Sequence, residues 1–272
     1  MGPLTHTMPK PLLPVADRPL VAHVADAAVA AGTDELLFTV GYGGDRVREY
    51  FGSQYAGVPV RYAEQPCQRG TADALAVAAD LLEDEFAVLN GDSLYDAGDL
   101  SRLFESVPQV GSVRVSNPSA YGVLVTDDGV VSEVREKPEN PPSDLVNAGA
   151  YTFPADVIDL LDVPESDRGE RELTDVLDRV VERHELGVVA FDEWMDVGRP
   201  WELLEANERR LPGETAGVSA TADGGDVRPA DSEGTMADRT VTSGVHPDAT
   251  VRGDAVVEPG ATVGPGAVID GP

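Results

Sequence analysis

The sequence predicts an α/β protein with a layered, mainly parallel sheet flanked by helices, followed by the start of a parallel β-helix. Three observations carry that expectation. Short apolar runs alternate with helix-period segments from Leu20 to Leu211, the pattern of strands joined by crossover helices. The clearest run, Phe86-Ala-Val-Leu89, lies between the acidic Glu83-Asp-Glu85 and the turn residues Asn90-Gly91, which suits a strand buried on both faces. Beyond Gly244 the period changes to six: Val245, Val251, Val257, Val263 and Ile269 are evenly spaced, with Ala249, Ala255, Ala261 and Ala267 recurring between them. Such a hexapeptide period puts one aliphatic residue inward on each short face of a parallel β-helix.

The elements follow in order. Met1 to Pro14 is too rich in proline for a helix or central strand and reads as a loop that fixes Lys10 between Pro9 and Pro11. Pro19 opens a helix to about Ala31, Leu36 to Val40 forms a short buried strand, Asp45 to Phe51 a helix, and Val58 to Tyr62 a strand. Gln65 to Ala74 is a Gly-containing loop opening a helix to about Leu82. There Gly70 permits close backbone approach, Gln65 suits the edge of a nucleobase, and Thr71 could equally serve as an ordinary helix cap. A helix near Leu100 to Phe104 and a strand from Ser112 to Val115 come next.

Tyr121 to Glu136 alternates around Asp128-Gly129, a strong hairpin signal. Its second arm delivers Glu136-Lys137-Pro138. Asn147 to Tyr151 begins another strand, and Glu172 to His184 an amphipathic helix with Leu173, Val176, Leu177, Val180 and Val181 as its core stripe. Val188 to Phe191 leads to Trp194-Met-Asp-Val-Gly198, a second strand end with a lone acid before glycine, and Pro200 opens a helix to about Leu211. Pro212 to Gly244 has few large apolar residues and reads as an acidic linker. The domains expected are therefore 1–211, the linker 212–244, and a truncated hexapeptide repeat over 245–272.

Composition narrows the function. With 49 acidic against 20 basic residues the formal net charge is -29, which argues against nucleic acid or an anionic membrane as partner. Lys10 and Lys137 are the only lysines; that scarcity in an acidic chain resembles adaptation to high salt, where charge repulsion is screened. A single cysteine, Cys67, excludes an intrachain disulfide, and no apolar run of 18 residues marks a signal peptide or spanning helix. A cytoplasmic location is expected. The four histidines show no metal-ligand spacing, and Ser93 lacks the glycines of a nucleophile elbow.

Pro9-Lys10-Pro11, Gln65 with Gly70-Thr71-Ala72, Asn90-Gly91-Asp92, Tyr121-Gly122-Val123, Glu136-Lys137-Pro138, Asn147-Ala148-Gly149 and Trp194-Met195-Asp196-Val197-Gly198 together resemble the sugar-1-phosphate nucleotidylyltransferases, nearest to the archaeal bifunctional type that continues into a hexapeptide acetyltransferase domain. The resemblance implies a Rossmann-like mixed, mainly parallel sheet with helices on both faces, of the nucleotide-diphospho-sugar transferase type, then a left-handed parallel β-helix. It implies Mg²⁺-dependent joining of a nucleoside triphosphate, UTP or dTTP, to glucose or N-acetylglucosamine 1-phosphate, with release of pyrophosphate. Carried over, Lys10, Asp92 and Asp196 are the catalytic positions, and Asp92 and Asp196 hold the cation. Gln65, Gly70 and Thr71 face the base, Lys137 the sugar phosphate, and Glu136, Asn147, Tyr121 and Gly122 the sugar. A homo-oligomer through the β-helix is implied for the full-length protein.

Two departures from the family pattern matter. The family begins with a central strand and a Gly-x-Gly-Thr-Arg loop that cradles the triphosphate, and Met1-Gly2 stands where that loop ends; the β-helix stops at Pro272. The expectation is thus of a chain with low turnover by itself. A catalytically weak fragment or nucleotide-sugar-binding regulatory module of the same fold is the competing reading, and an acyltransferase acting through the repeat is a third.

Overall fold

The computed structural model describes the chain except residues 3, 7, 83, 167, 211–249, 253–263, 265–266 and 271–272. Prolines shape its opening: Lys10–Leu12 forms one 3-10 turn after Pro9, and Pro14–Val15 pairs with Arg18–Pro19. Pro19 then stands at the N-cap of helix α1 (Leu20–Ala30), where its missing N–H is no loss.

Strand β1 (Leu36–Val40) runs parallel to β2 (Val58–Glu64), with helix α2 (Gly44–Phe51) in the crossover and Gln54–Tyr55 pairing the other side of β2. Helix α3 (Thr71–Ala76) is shorter than the expected run to Leu82 and gives way to a 3-10 turn at Ala79–Leu81. Side chains from the first sheet draw its carbonyls away: Thr39 Oγ1 donates to Ala74 O at 2.9 Å and Arg61 Nη2 to Leu81 O at 2.7 Å.

The chain continues through β3 (Phe86–Leu89), β4 (Ser93–Tyr95), α4 (Ala97–Phe104), β5 (Gln109–Arg114), β6 (Gly122–Asp127), β7 (Val130–Glu136), β8 (Leu145–Phe153), α5 (Leu173–Arg183), β9 (Gly187–Ala190), β10 (Trp194–Asp196) and α6 (Pro200–Arg210). Asp96 caps α4, accepting from the amides of Gly98 and Asp99. One sheet has the order β3-β8-β5-β9-β7-β6, with β8 also touching β6.

The α/β class and the mixed sheet are as expected; the balance of directions is not. Within the six-stranded sheet only β5 and β9 run parallel. The reason lies in the connections: Asp128 and Gly129, with φ of 47° and 84°, close β6 and β7 into a hairpin, and β8 returns antiparallel to three neighbours. Helices cover both faces of this sheet. Ala148 and Ala150 of β8 pack with Val24 of α1 and Leu100 and Leu103 of α4, whereas Tyr151 and Phe153 pack with Leu75 of α3 and Val176, Leu177 and Val180 of α5.

Burial departs from expectation in β1 and β3. Only Val40 of β1 is fully buried, and in β3 Ala87 is exposed and its neighbours half-buried. Both are sheet edges, β1 bonded to β2 alone and β3 to β8 alone. A groove of about 1310 Å³ runs along both, walled further by Val21, Val24, Ala25 and Ala28 of α1 and by Ala74, Leu75 and Ala78.

Two compact units divide within α6, Met1–Glu202 and Leu203–Pro272. In the second, β11 (Thr250–Arg252) and β12 (Val268–Asp270) pair in parallel with Val251 opposite Ile269. The linker expected over 212–244, and Val245, Val257 and Val263 of the six-residue period, lie outside the described residues. Among the described residues no helix is long and apolar enough to cross a membrane.

Candidate active site

Two strand ends bring the first group of side chains together. β4 and β10 pair antiparallel with Ser93 opposite Asp196, and Val197 N donates to Asp92 O at 3.0 Å. The two lone acids noted in the sequence thus stand side by side at the end of one short ladder. Lys10 Nζ, delivered by the proline-bound turn, donates to Asp92 Oδ2 at 2.6 Å. Both side chains remain partly open to water, at 25% and 36% exposure, so an incoming phosphate can compete for the ammonium.

Asp196 is the perturbed member. Burial, and next the negative charge of Asp92, push its carboxyl up to about 6, while Lys10 and Lys137 pull the other way. Its charge is therefore felt by Asp92 and by both lysines of the chain. Paired carboxylates, one partly desolvated, form a setting that a cation relieves. No group of three or more His, Cys, Asp and Glu fit to hold a metal occurs among the described residues. Two carboxylates remain, which suits an ion that takes its other ligands from substrate phosphates and water.

The expected base loop is organised differently from its reading in the sequence. Gln65 and Thr71 line the groove, but Gly70 is packed against the protein's own backbone. Its φ is 103°, it stands at the N-cap of α3, and a Cβ there would lie 2.3 Å from Arg171 O. Around it Arg171 N donates to Arg69 O at 2.7 Å, Ala72 N to Arg171 O at 3.0 Å, and Leu173 N to Thr71 Oγ1 at 2.9 Å. Gly70→Ala is expected to lower stability by roughly 2–3 kcal/mol or more, since the left-handed strain alone costs about 1–3; a melting temperature equal to that of the parent would refute the packing role.

A second group gathers on the β6–β7 hairpin. Gly122 faces Glu136 in register, and Lys137 N, at a φ of 43°, donates to Tyr121 O at 3.0 Å. From the neighbouring β8, Asn147 Nδ2 donates to Gly122 O at 3.4 Å, while its Oδ1 accepts from Tyr151 OH at 2.7 Å and Gly149 N at 3.1 Å. A Cβ on Gly122 would meet Asn147 Nδ2 at 2.3 Å, Thr174 Cγ2 at 3.0 Å and Glu136 Oε2 at 3.2 Å. Tyr121 sets its ring edge-on to Trp194, 5.5 Å between centroids. A cavity of about 340 Å³ is walled by Tyr121 and Asn117 on one side and by Asp196, Gly198, Arg199 and Glu202 on the other. That cavity joins the two groups, because Asp196 of the first and Tyr121 of the second both line it.

Two residues here escape a reading of the sequence. Arg168 Nη2 bridges Glu136 Oε1 at 2.9 Å and Glu172 Oε1 at 2.7 Å, beside Lys137 Nζ at 3.2 Å from the same Glu136 oxygen. Thr174 Oγ1 is buried without a hydrogen-bond partner among the described residues, a polar atom left for something else to satisfy. Arginine is common in this chain and Thr174 lies within a helix stripe, so neither stands out until the hairpin places Gly122 and Glu136 against them.

Comparison with known proteins gives the family of the chain. The family model described as nucleotidyl transferase matches residues 1–212. The chain is 36% identical over 214 residues to the bifunctional protein GlmU of Methanocaldococcus jannaschii, covering 78% of this chain and 51% of that protein. It is 35% identical over 226 residues to the UTP--glucose-1-phosphate uridylyltransferase AglF of Haloferax volcanii, covering 79% of this chain and 93% of that protein. The chain thus spans about half the length of the bifunctional relative. A solved structure of UDP-glucose pyrophosphorylase complexed with UDP-glucose superposes with a TM-score of 0.70 over 77% of this chain and 92% of its own, at 23% identity, a likeness of fold.

Proposed function

The chain belongs to the nucleotidyl transferase family, and we propose that it joins UTP or dTTP to a sugar 1-phosphate, glucose or N-acetylglucosamine 1-phosphate, releasing pyrophosphate. The observation that carries this reading is the pairing of the Asp92 and Asp196 strand ends, with Lys10 Nζ 2.6 Å from Asp92 Oδ2 and the charges of both lysines acting on Asp196. Two acids and Lys10 meet there, and the chain's other lysine, Lys137, 3.2 Å from Glu136 Oε1, acts on Asp196 by its charge, an arrangement suited to bringing two phosphorylated substrates together. The names of the relatives point to uridylyl transfer and to glucose 1-phosphate.

In this reading an oxygen of the sugar phosphate attacks the α-phosphorus in line, the new P–O bond forms, and the bond to the bridging oxygen of the β-phosphate breaks, so that pyrophosphate leaves with the electron pair. Positioning and charge neutralisation do most of the work. Lys10 leaves Asp92 for the triphosphate. Lys137 holds the sugar phosphate, and Arg168, on the same Glu136 oxygen, adds a second cation beside it. Glu136, Asn147, Thr174 and the Tyr121-Gly122 backbone bind and orient the sugar. Asp92 and Asp196 fit Mg²⁺, which when bound supplies neutralisation of the phosphate oxygens.

Beyond the transferase unit, the parallel pairing of Val251 with Ile269, eighteen residues apart, spans three of the six-residue periods. That spacing supports one coil of a three-faced hexapeptide β-helix, through which the full-length protein would oligomerise. The excess of acidic residues and scarcity of lysine support a protein working in high salt, and the single cysteine suits a reducing compartment such as the cytoplasm.

Pyrophosphate release with each triphosphate and each sugar 1-phosphate in Mg²⁺ tests the function, and two variants test the roles. Lys137→Ala is expected to weaken use of the sugar phosphate by about one charge-assisted contact, ~1.5–3 kcal/mol, seen mainly in its KM. Glu136→Ala is expected to change the ratio of glucose to N-acetylglucosamine turnover instead. A kinetically silent Lys137→Ala would make it a surface residue.

A further inference from the structure

We propose that Asp73 is a positioning residue that locks the Gln65 amide in one orientation, so that the site selects a uracil or thymine edge over cytosine. This rests on the nucleotidyl-transfer reading and adds to it how the base is told apart. A glutamine side chain has two N–H donors and one acceptor oxygen. Gln65 Nε2 donates to Asp73 Oδ2 at 2.9 Å and to Gly70 O at 3.2 Å. A carboxylate and a peptide carbonyl both accept and cannot donate, so the amide has one orientation: turned over, its oxygen would face two other oxygens.

Asp73 is fixed in its turn. It is 4% exposed, stands in the first turn of α3, and its other oxygen is held by Arg69 Nη2 at 3.2 Å. With both donors of Gln65 committed, its Oε1 makes no hydrogen bond among the described residues, and the residue lines the groove with Lys10 and Thr71. What Gln65 presents is an acceptor alone. Uracil and thymine offer an N–H at ring position 3. Cytosine offers a lone pair at that position, and acceptor against acceptor leaves both groups unsatisfied. Uracil and cytosine have nearly the same size, so the discrimination comes from the direction of one hydrogen bond.

The reversal follows from the same geometry. In Asp73→Asn the new amide can donate to Gln65 Oε1, which replaces the shorter and charged of the two contacts that oppose a turned glutamine, leaves only the longer one to Gly70 O against it, and lets Nε2 be presented as a donor suited to cytosine N3. The experiment measures kcat/KM for UTP and CTP, with glucose 1-phosphate and Mg²⁺, in the parent and in Asp73→Asn, together with calorimetric binding of each nucleotide alone. The parent is expected to favour UTP by about 10–10²-fold, the range set by leaving one buried polar group unpaired. Asp73→Asn is expected to narrow that ratio by at least about tenfold, mostly through KM and by gaining CTP as well as losing UTP. A variant that loses both nucleotides in proportion has only been loosened, and that result overturns the proposal. Should Asp73→Asn fail to fold, the parent still decides, since equal binding of UTP and CTP, or binding of neither, also overturns it. Selective nucleotide binding without pyrophosphate release would instead count against the transferase reading and leave the orienting role of Asp73 standing.

Discussion

Asp196→Asn is expected to remove pyrophosphate release while making the metal-free protein more stable above pH 6. Burial and the charge of Asp92 push the Asp196 carboxyl up to about 6, whereas in the unfolded chain it titrates near 3.9. Between those values the folded state keeps a proton that the unfolded state has lost. Stability therefore falls as pH rises through that window and stays lowered above it. Asparagine has no proton to lose, so the variant escapes the penalty. Discounted for the part of the group that faces water, the gain is ~1–2 kcal/mol, or roughly 3–6 °C in melting temperature. Activity moves the other way, by roughly 10³-fold or more, because a carboxylate that would hold the neutralising cation at the reacting phosphates is lost. Mg²⁺ is expected to raise the melting temperature of the parent and not of the variant, and to do so most above pH 6, where the metal-free Asp196 has lost its proton and can bind a cation. A variant that melts lower than the parent, or keeps a tenth of its turnover, would make Asp196 a structural acid.

The parts of this site that the sequence discloses are those whose chemistry is local. Asp92 and Asp196 show because each follows a short apolar run and lies within two residues of a glycine, and Lys10 and Lys137 because lysine is otherwise missing. Asp128-Gly129 shows because a two-residue turn with positive φ selects its own residues. What stays hidden depends on contacts between distant segments. Arg168 matters through Glu136, thirty-two residues away, and Thr174 through Gly122. The role of Gly70 was half visible: its need for a close approach is real, but the Arg171 backbone is what approaches. Strand direction was hidden for a related reason. A buried strand reads alike whether its neighbours run parallel or antiparallel, and only the hairpin and the return of β8 decide.

Extending the chain ahead of Met1 by an apolar strand and a Gly-x-Gly-Thr-Arg loop is expected to raise turnover by at least about 10²-fold. It should also turn a broad thermal transition into a sharp one. The groove supplies the reason. β1 and β3 each bond one neighbour only, and their free sides border the same space. A single strand between them would satisfy both rows of amides and carbonyls at the usual spacing of ~4.8 Å. Its alternate side chains would meet Val21, Val24 and Ala25 of α1 on one face and Ala74, Leu75 and Ala78 on the other, so both sets must be apolar. At 1310 Å³ the space exceeds the ~300–1,000 Å³ of ordinary ligand pockets, while a run of hydrogen-bonded, half-exposed Leu, Phe and Val along its sides suits a polypeptide. Met1, Thr5 and Lys10 line the same groove, so the loop that leaves the strand would reach the Lys10–Asp92 pair and add backbone donors and an arginine there. A net gain of roughly 3 kcal/mol corresponds to about 6–12 °C in melting temperature. Hydrogen exchange gives the local readout: the amides of Leu36–Val40 and Phe86–Leu89 that face the groove should become protected in the extended chain and stay open in the parent. Equal activity, equal melting and equal exchange in the two chains would show that this space is not a place for a strand.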